Sequence, residues 1–96
     1  MSLIFVDCEA PFGAGAPSVG DMTEFGAVDF KTKETFHGIG CSKEMFERFE
    51  DWLKAISDGH LTFVSDNPAY DWQWINFYFW KHLNRNPFRV LCSSHW

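Results

Sequence analysis

The chain is short of cations, short of cysteine and without a long apolar run, and each shortage excludes something. Lys and Arg total 8 against 13 Asp and Glu, a formal net charge of -5. That balance argues against a protein that holds nucleic acid mainly by wrapping the phosphates in basic side chains. It leaves room for a local acidic site that meets phosphate through a divalent ion. Cys8, Cys41 and Cys92 are odd in number and far apart, so neither a disulfide framework nor a CxxC metal knuckle is expected, only buried or free thiols in a reducing compartment. No segment approaches a membrane-spanning length, and no basic n-region precedes an apolar stretch at the N-terminus. A soluble, cytoplasmic protein is the expectation.

Aromatic residues, by contrast, are abundant. Eleven Phe and five Trp contribute to a 96-residue chain that is 46% hydrophobic, enough for one compact core and too little for two. Residues 1–96 are therefore read as a single unit without repeat, low-complexity tract or linker. A small domain cannot bury so much aromatic surface, so a homodimer is expected.

Leu3 to Ala10 reads as a strand buried on both faces, as in a sheet covered by helices. Residues 11–21 form a Gly/Pro-rich loop suited to closing over a ligand. Met22–Phe30 and Glu34–Ile39 read as an antiparallel pair joined by Lys31-Thr32-Lys33. From Lys43 to Ile56 apolar residues recur at helical spacing, with Ser42 as N-cap and Gly59 beyond the end. Leu61–Ser65 reads as a short strand. Asn67-Pro68 then starts a helix to about Leu83 that is aromatic nearly all round and so expected to be buried on more than one side. A short last strand near Phe88–Leu91 completes an α/β mixed sheet of order β-β-β-α-β-α, with a crossover that brings the last helix to the end of the first strand.

Chemistry concentrates at that end. Asp7 and Glu9 are two apart on one strand, so they share a face while Cys8 points to the other, into the core. Two like charges held side by side call for a cation, and carboxylate oxygens suit hard divalent ions. Asp71 falls in the first turn of the last helix, where a carboxylate is also favoured by the helix dipole alone. Asp66 reads as a cap or turn residue and Glu24 as structural. His37 and His60 have no partner acid at a useful spacing and read as surface or turn residues. Lys81, His82, Arg85 and Arg89 form the one basic cluster, read as ordinary cations at a helix C-terminus ahead of phosphate contacts. Phe12, Tyr70 and Trp74 are candidates for stacking on unpaired bases, although core packing is the more ordinary role in so aromatic a chain.

Phe5-Val6-Asp7-Cys8-Glu9-Ala10, then Met22-Thr23-Glu24-Phe25-Gly26-Ala27-Val28, then Ser65-Asp66-Asn67-Pro68-Ala69-Tyr70-Asp71 resemble the DEDD 3′–5′ exonucleases, and among them the ribonuclease T-like exoribonucleases. The resemblance covers residues 3 to about 88 and the first half of that family's domain. It implies a ribonuclease H-like fold, incomplete at the C-terminus, and two Mg²⁺ or Mn²⁺ ions that stabilise the attacking and leaving oxygens of a phosphodiester at a nucleic-acid 3′ end, RNA favoured over DNA. By motif match, Asp7 would bridge both ions, Glu9 would hold the nucleophile's ion, and Asp71 would serve the second. The family's third motif, a histidine and a fourth aspartate, has no match here, since no Asp or Glu follows Asp71. Weak metal binding and little or no activity are expected of these residues alone, the base being worth a factor of about 10²–10⁴. Two other readings stand beside a metal-dependent exonuclease. One is a catalytically inactive nucleic-acid-binding remnant, the other an aromatic association domain that dimerises to finish its core.

Overall fold

The computed structural model describes residues 2–11 and 13–93. Five strands and two helices follow in the order β1 (Ser2–Glu9), β2 (Glu24–Asp29), β3 (Thr35–Ile39), α1 (Lys43–Ile56), β4 (Leu61–Ser65), α2 (Pro68–Leu83) and β5 (Phe88–Ser93). The strands form one mixed sheet ordered β3-β2-β1-β4-β5. β1, β2 and β3 are antiparallel neighbours, whereas β4 runs parallel to β1 and β5 parallel to β4. The α/β expectation holds, and this order with two helices is consistent with a ribonuclease H-like core.

Local chemistry sets the element ends. Ser42 Oγ accepts the Met45 N–H at 3.2 Å and starts α1 where the sequence places it. Proline opens α2, whose missing N–H costs nothing in a first turn. Asn84 ends that helix in the left-handed region at φ 57°, its N–H donating to the Trp80 carbonyl. In the β2–β3 turn, Asp29 accepts from the Thr32 hydroxyl at 2.7 Å, and Lys33 takes a positive φ of 65°.

Both helices pack on the same side of the sheet. Ile4, Val6 and Cys8 of β1, Phe25 and Ala27 of β2 and Phe63 of β4 meet Phe46, Phe49, Leu53, Trp74, Ile75 and Phe79 in one buried cluster. Phe49 sits at its centre, with ring centroids 4.7 Å from Phe25, 5.1 Å from Phe36 and 5.7 Å from Phe79. Two sequence expectations fail here. β1 is not covered on both faces: burial alternates along it, leaving Leu3 and Phe5 half-buried and Asp7 and Glu9 exposed on the helix-free side. α2 is not enclosed either, because Phe77 and Trp80 are 41% and 54% exposed. The causes differ: among the described residues no helical layer covers the β1 face that carries Leu3 and Phe5, whereas Phe77 and Trp80 lie on the side of α2 away from the core.

Residues 13–21 are tied to the helical layer. Met22 and Ala14 enter the core, Gln73 Nε2 donates to the Gly15 carbonyl at 2.6 Å, and the Tyr78 hydroxyl donates to Asp21 and accepts the Met22 N–H. The loop is pinned to α2.

Candidate functional site

β1 outruns its parallel neighbour. Ser2–Phe5 pair with Leu61–Val64, but from Val6 onward β1 pairs only with β2, so a crevice opens between the C-terminal ends of β1 and β4. Carboxyl ends of parallel strands are where open α/β sheets place their ligands. The first turn of α2 fills the buried side of that crevice. Asp71 Oδ1 accepts the Cys8 N–H at 3.0 Å, which β4 does not reach, and Oδ2 accepts the Ser65 hydroxyl in a short hydrogen bond. Ser65 Oγ in turn accepts the Asn67 N–H at 3.0 Å.

Asp7 and Glu9 stand on the uncovered face at the same end, both exposed, and neither is in an ion pair among the described residues. Asp71 is 2% exposed, and burial holds its carboxyl above the usual range despite the Ser65 and Cys8 hydrogen bonds, with the Asp7 and Asp66 charges adding to the rise. Burial, then the Asp71 charge, pushes the Cys8 thiol upward, so Cys8 is an inert core residue, as its position in the strand predicts. Oxygen donors of this kind suit a hard divalent ion. Yet no three metal-ligating side chains converge among the described residues, and both Asp71 oxygens are committed to hydrogen bonds. The fit is that of a two-carboxylate seat with a third carboxylate nearby.

The stacking candidates fare unequally. Trp74 is fully buried, stacked on Tyr78 at 6.4 Å, and has no face for a base, a correction that follows from its position on the core side of α2. Tyr70 is half-buried, edge-on to Trp74 at 6.1 Å. Phe12 lies outside the described residues. The basic cluster is largely occupied in the fold: Arg85 pairs with Glu50, His82 Nε2 is 2.8 Å from the Cys41 carbonyl, and Lys81 lies over the Phe77 ring.

Sequence reasoning missed one pair. His37 Nε2 lies 2.6 Å from Glu24 Oε2, and both line a concavity with Asp7 and Glu9. The signal was present, since antiparallel pairing of β2 and β3 about the Lys31-Thr32-Lys33 turn brings positions 24 and 37 to diagonal neighbours.

No protein-family model matches the chain. A segment of 45 residues is 36% identical to the 3′-5′ DNA exonuclease Cap18 of Escherichia coli, covering 45% of this chain. The match spans only 24% of that protein's length. It gives the ribonuclease T-like specificity expected from the sequence no support. What is shown is a distant, partial likeness to a 3′–5′ DNA exonuclease, in a chain whose mixed sheet is compatible with a ribonuclease H-like fold.

Proposed function

We propose that the chain is the motif-bearing part of a divalent-metal-dependent 3′–5′ exonuclease, acting on nucleic-acid 3′ ends at the tip of β1. The observation that carries this reading is the placement of Asp7 and Glu9, exposed side by side on one face and in no ion pair among the described residues, at the crevice where Asp71 enters from α2. Asp7 and Glu9 would hold an Mg²⁺ or Mn²⁺ ion, and Asp71 would join them on giving up the Ser65 hydroxyl. Bound there, such an ion would stabilise charge on the attacking and leaving oxygens of a phosphodiester. The protein's own part is to fix the β1 tip through the Cys8–Asp71 hydrogen bond and to keep the pair open on the sheet face. The sequence expectation favours RNA, while the named relative is a DNA exonuclease, so both polymers belong in the test.

Titration with Mn²⁺ followed calorimetrically, beside degradation of 5′-labelled single-stranded DNA and RNA, checks the proposal. Weak Mn²⁺ binding that drops about tenfold or more in Asp7→Asn, and not in the distant Glu34→Gln, is expected, with little or no shortening of either oligonucleotide. Mn²⁺ affinity unchanged by Asp7→Asn would sink the metal site. A second reading, an inactive binding or dimerising module, is favoured by the apolar residues on the uncovered face, where Phe30 is 50% and Ile39 74% exposed.

A further inference from the structure

The sheet has two edges, and they are finished differently. At one edge, β5 carries Arg89 at the register shift between the Leu61–Phe88 and Thr62–Val90 pairs, so a bulge and a charge coincide there. Both devices keep an edge from pairing with another chain. At the other edge, β3 has neither. Its ladder to β2 is regular, and Thr35-Phe36-His37-Gly38-Ile39 contains no Lys, Arg, Asp, Glu or Pro.

The β2–β3 ladder shows where the free backbone groups of β3 point. The Asp29 N–H donates to the Glu34 carbonyl at one end of it, and the Gly40 N–H donates to the Thr23 carbonyl at the other. Residues of an antiparallel strand alternate between bonding to the neighbour and facing away from it. Glu34, Phe36, Gly38 and Gly40 therefore bond to β2, while Thr35, His37 and Ile39 turn their N–H and C=O groups outward. None of these outward groups has a partner among the described residues. The helix side of the edge is apolar. Phe36 and Trp52 of α1 are both half-buried there, ring centroids 5.7 Å apart. Gly38 is bare for a reason inside its own chain, since a Cβ there would come within 2.3 Å of the Phe25 ring.

We propose that β3 pairs antiparallel with β3 of a second copy, about a two-fold axis at His37, to form one continuous ten-stranded sheet from two five-stranded ones. Centred there, Thr35 meets Ile39 of the second copy, His37 meets His37, and Ile39 meets Thr35. Every outward group is then used, and the three pairs exchange two hydrogen bonds each. The same register sets Phe36 against Gly38 twice over, an aromatic ring against a position with no side chain. A second copy suits this edge because the edge is its own complement. An uncharged strand meets itself without opposing like charges, in a chain whose net charge is -5. Glu24 on β2 holds His37 Nε2 at 2.6 Å, which draws each ring toward its own sheet and off the axis. The pairing does not depend on the metal site, but it places two of them. Asp7, Gly26 and His37 lie at one register level, so five strand spacings of about 4.8 Å set Asp7 of the two copies roughly 24 Å apart, on the same face of the dimer.

Light scattering and amide hydrogen exchange followed by NMR, both on the full chain over a wide concentration range, test the pairing. The parent is expected to double in mass as concentration rises, and its Thr35, His37 and Ile39 amides to exchange about tenfold or more slowly in the dimer than in the monomer. His37→Pro spares the β2–β3 ladder, because that N–H points outward, yet it removes both central hydrogen bonds. It should weaken dimerisation about tenfold or more while keeping the parental far-UV circular dichroism. His37→Thr restores the N–H and should dimerise within about threefold of the parent. Phe30→Ser should also remain a dimer, since the Phe30 ring lies on the open face against Phe5 of β1. A parent that stays monomeric overturns the proposal, as does a dimer that His37→Pro leaves intact or whose three amides exchange as they do in the monomer. Dissociation by Phe30→Ser overturns it in favour of face-to-face stacking of the open sheets. If His37→Pro unfolds the chain, amide protection in the parent decides alone.

Discussion

Asp71 is 2% exposed with both carboxylate oxygens hydrogen-bonded, so its ionised form is held in place and yet poorly solvated. Burial wins, and the carboxyl titrates above its ordinary value. The folded state therefore holds this proton more tightly than the unfolded chain does. Its contribution to stability is full below the unfolded value of about 3.9 and is lost as pH rises through the folded one. Asparagine keeps an acceptor for the Cys8 N–H and cannot ionise. Relative to the parent, Asp71→Asn should gain stability as pH rises from about 3.9 to neutrality, in paired urea titrations. A variant that loses ground across that interval would show that the charged form is the stabilising one. At this scale the sequence was readable where one strand or one turn decided the outcome: Asp7 and Glu9 share a face and Cys8 the other, as period two requires. It was not readable where partners come from other elements. Ser65 and Cys8 engage Asp71 across 6 and 63 positions, and the Glu24–His37 pair needs the β2–β3 register.

Helices were legible because their information is local. The apolar spacing and Ser42 locate α1, and the Asn67-Pro68 step locates α2, with no reference to what each packs against. The bond between them is not local. Arg85, just past α2, donates to both Glu50 oxygens on α1, at 2.8 Å and 2.7 Å, and Lys54 adds a 3.7 Å contact. Glu50 is 5% exposed, so its charge depends on that fork. The Arg85 hydrogen bonds hold the Glu50 carboxyl below its usual range, against the opposing effect of burial. That stability is present above the unfolded value of about 4.3 and is lost as pH falls through the folded one. Arg85 itself is 58% exposed, so water screens part of the interaction. Arg85→Ala should lower stability at pH 7 and do so progressively less toward pH 3, measured by thermal or urea unfolding at both pH values. An equal loss at both would assign the effect to packing of the arginine stem rather than to its charge.

As a whole the molecule is a thin slab. Its radius of gyration of 12.4 Å is that of an ordinary domain of this length, about 12.5 Å, but its shortest extent is 19 Å. One sheet and one helical layer about 10 Å away fill that thickness, and no room is left for a second helical layer. Leu3 and Phe5 on the open side are the residues that make β1 read as a strand of a doubly covered sheet, and Val28 and Phe30 extend that apolar surface. The sequence therefore encodes a demand for cover that one helical layer does not meet, which is why the strands were legible and the exposure of one face was not. Exposed apolar surface of this kind favours association. Phe30 and Ile39 stand outside the hollow beside Asp7, with the Phe30 ring 5.8 Å from that of Phe5. The parent should show concentration-dependent mass in size-exclusion chromatography with light scattering, and the double variant Phe30→Ser, Ile39→Lys should remain a monomer. Because both side chains are at least half exposed, the thermal midpoint of the double variant should stay within about 5 °C of the parent's. A parent that is monomeric at every accessible concentration would mean that the apolar face is satisfied without a second copy, and would remove the dimerising reading while leaving the Asp7–Glu9 site untouched.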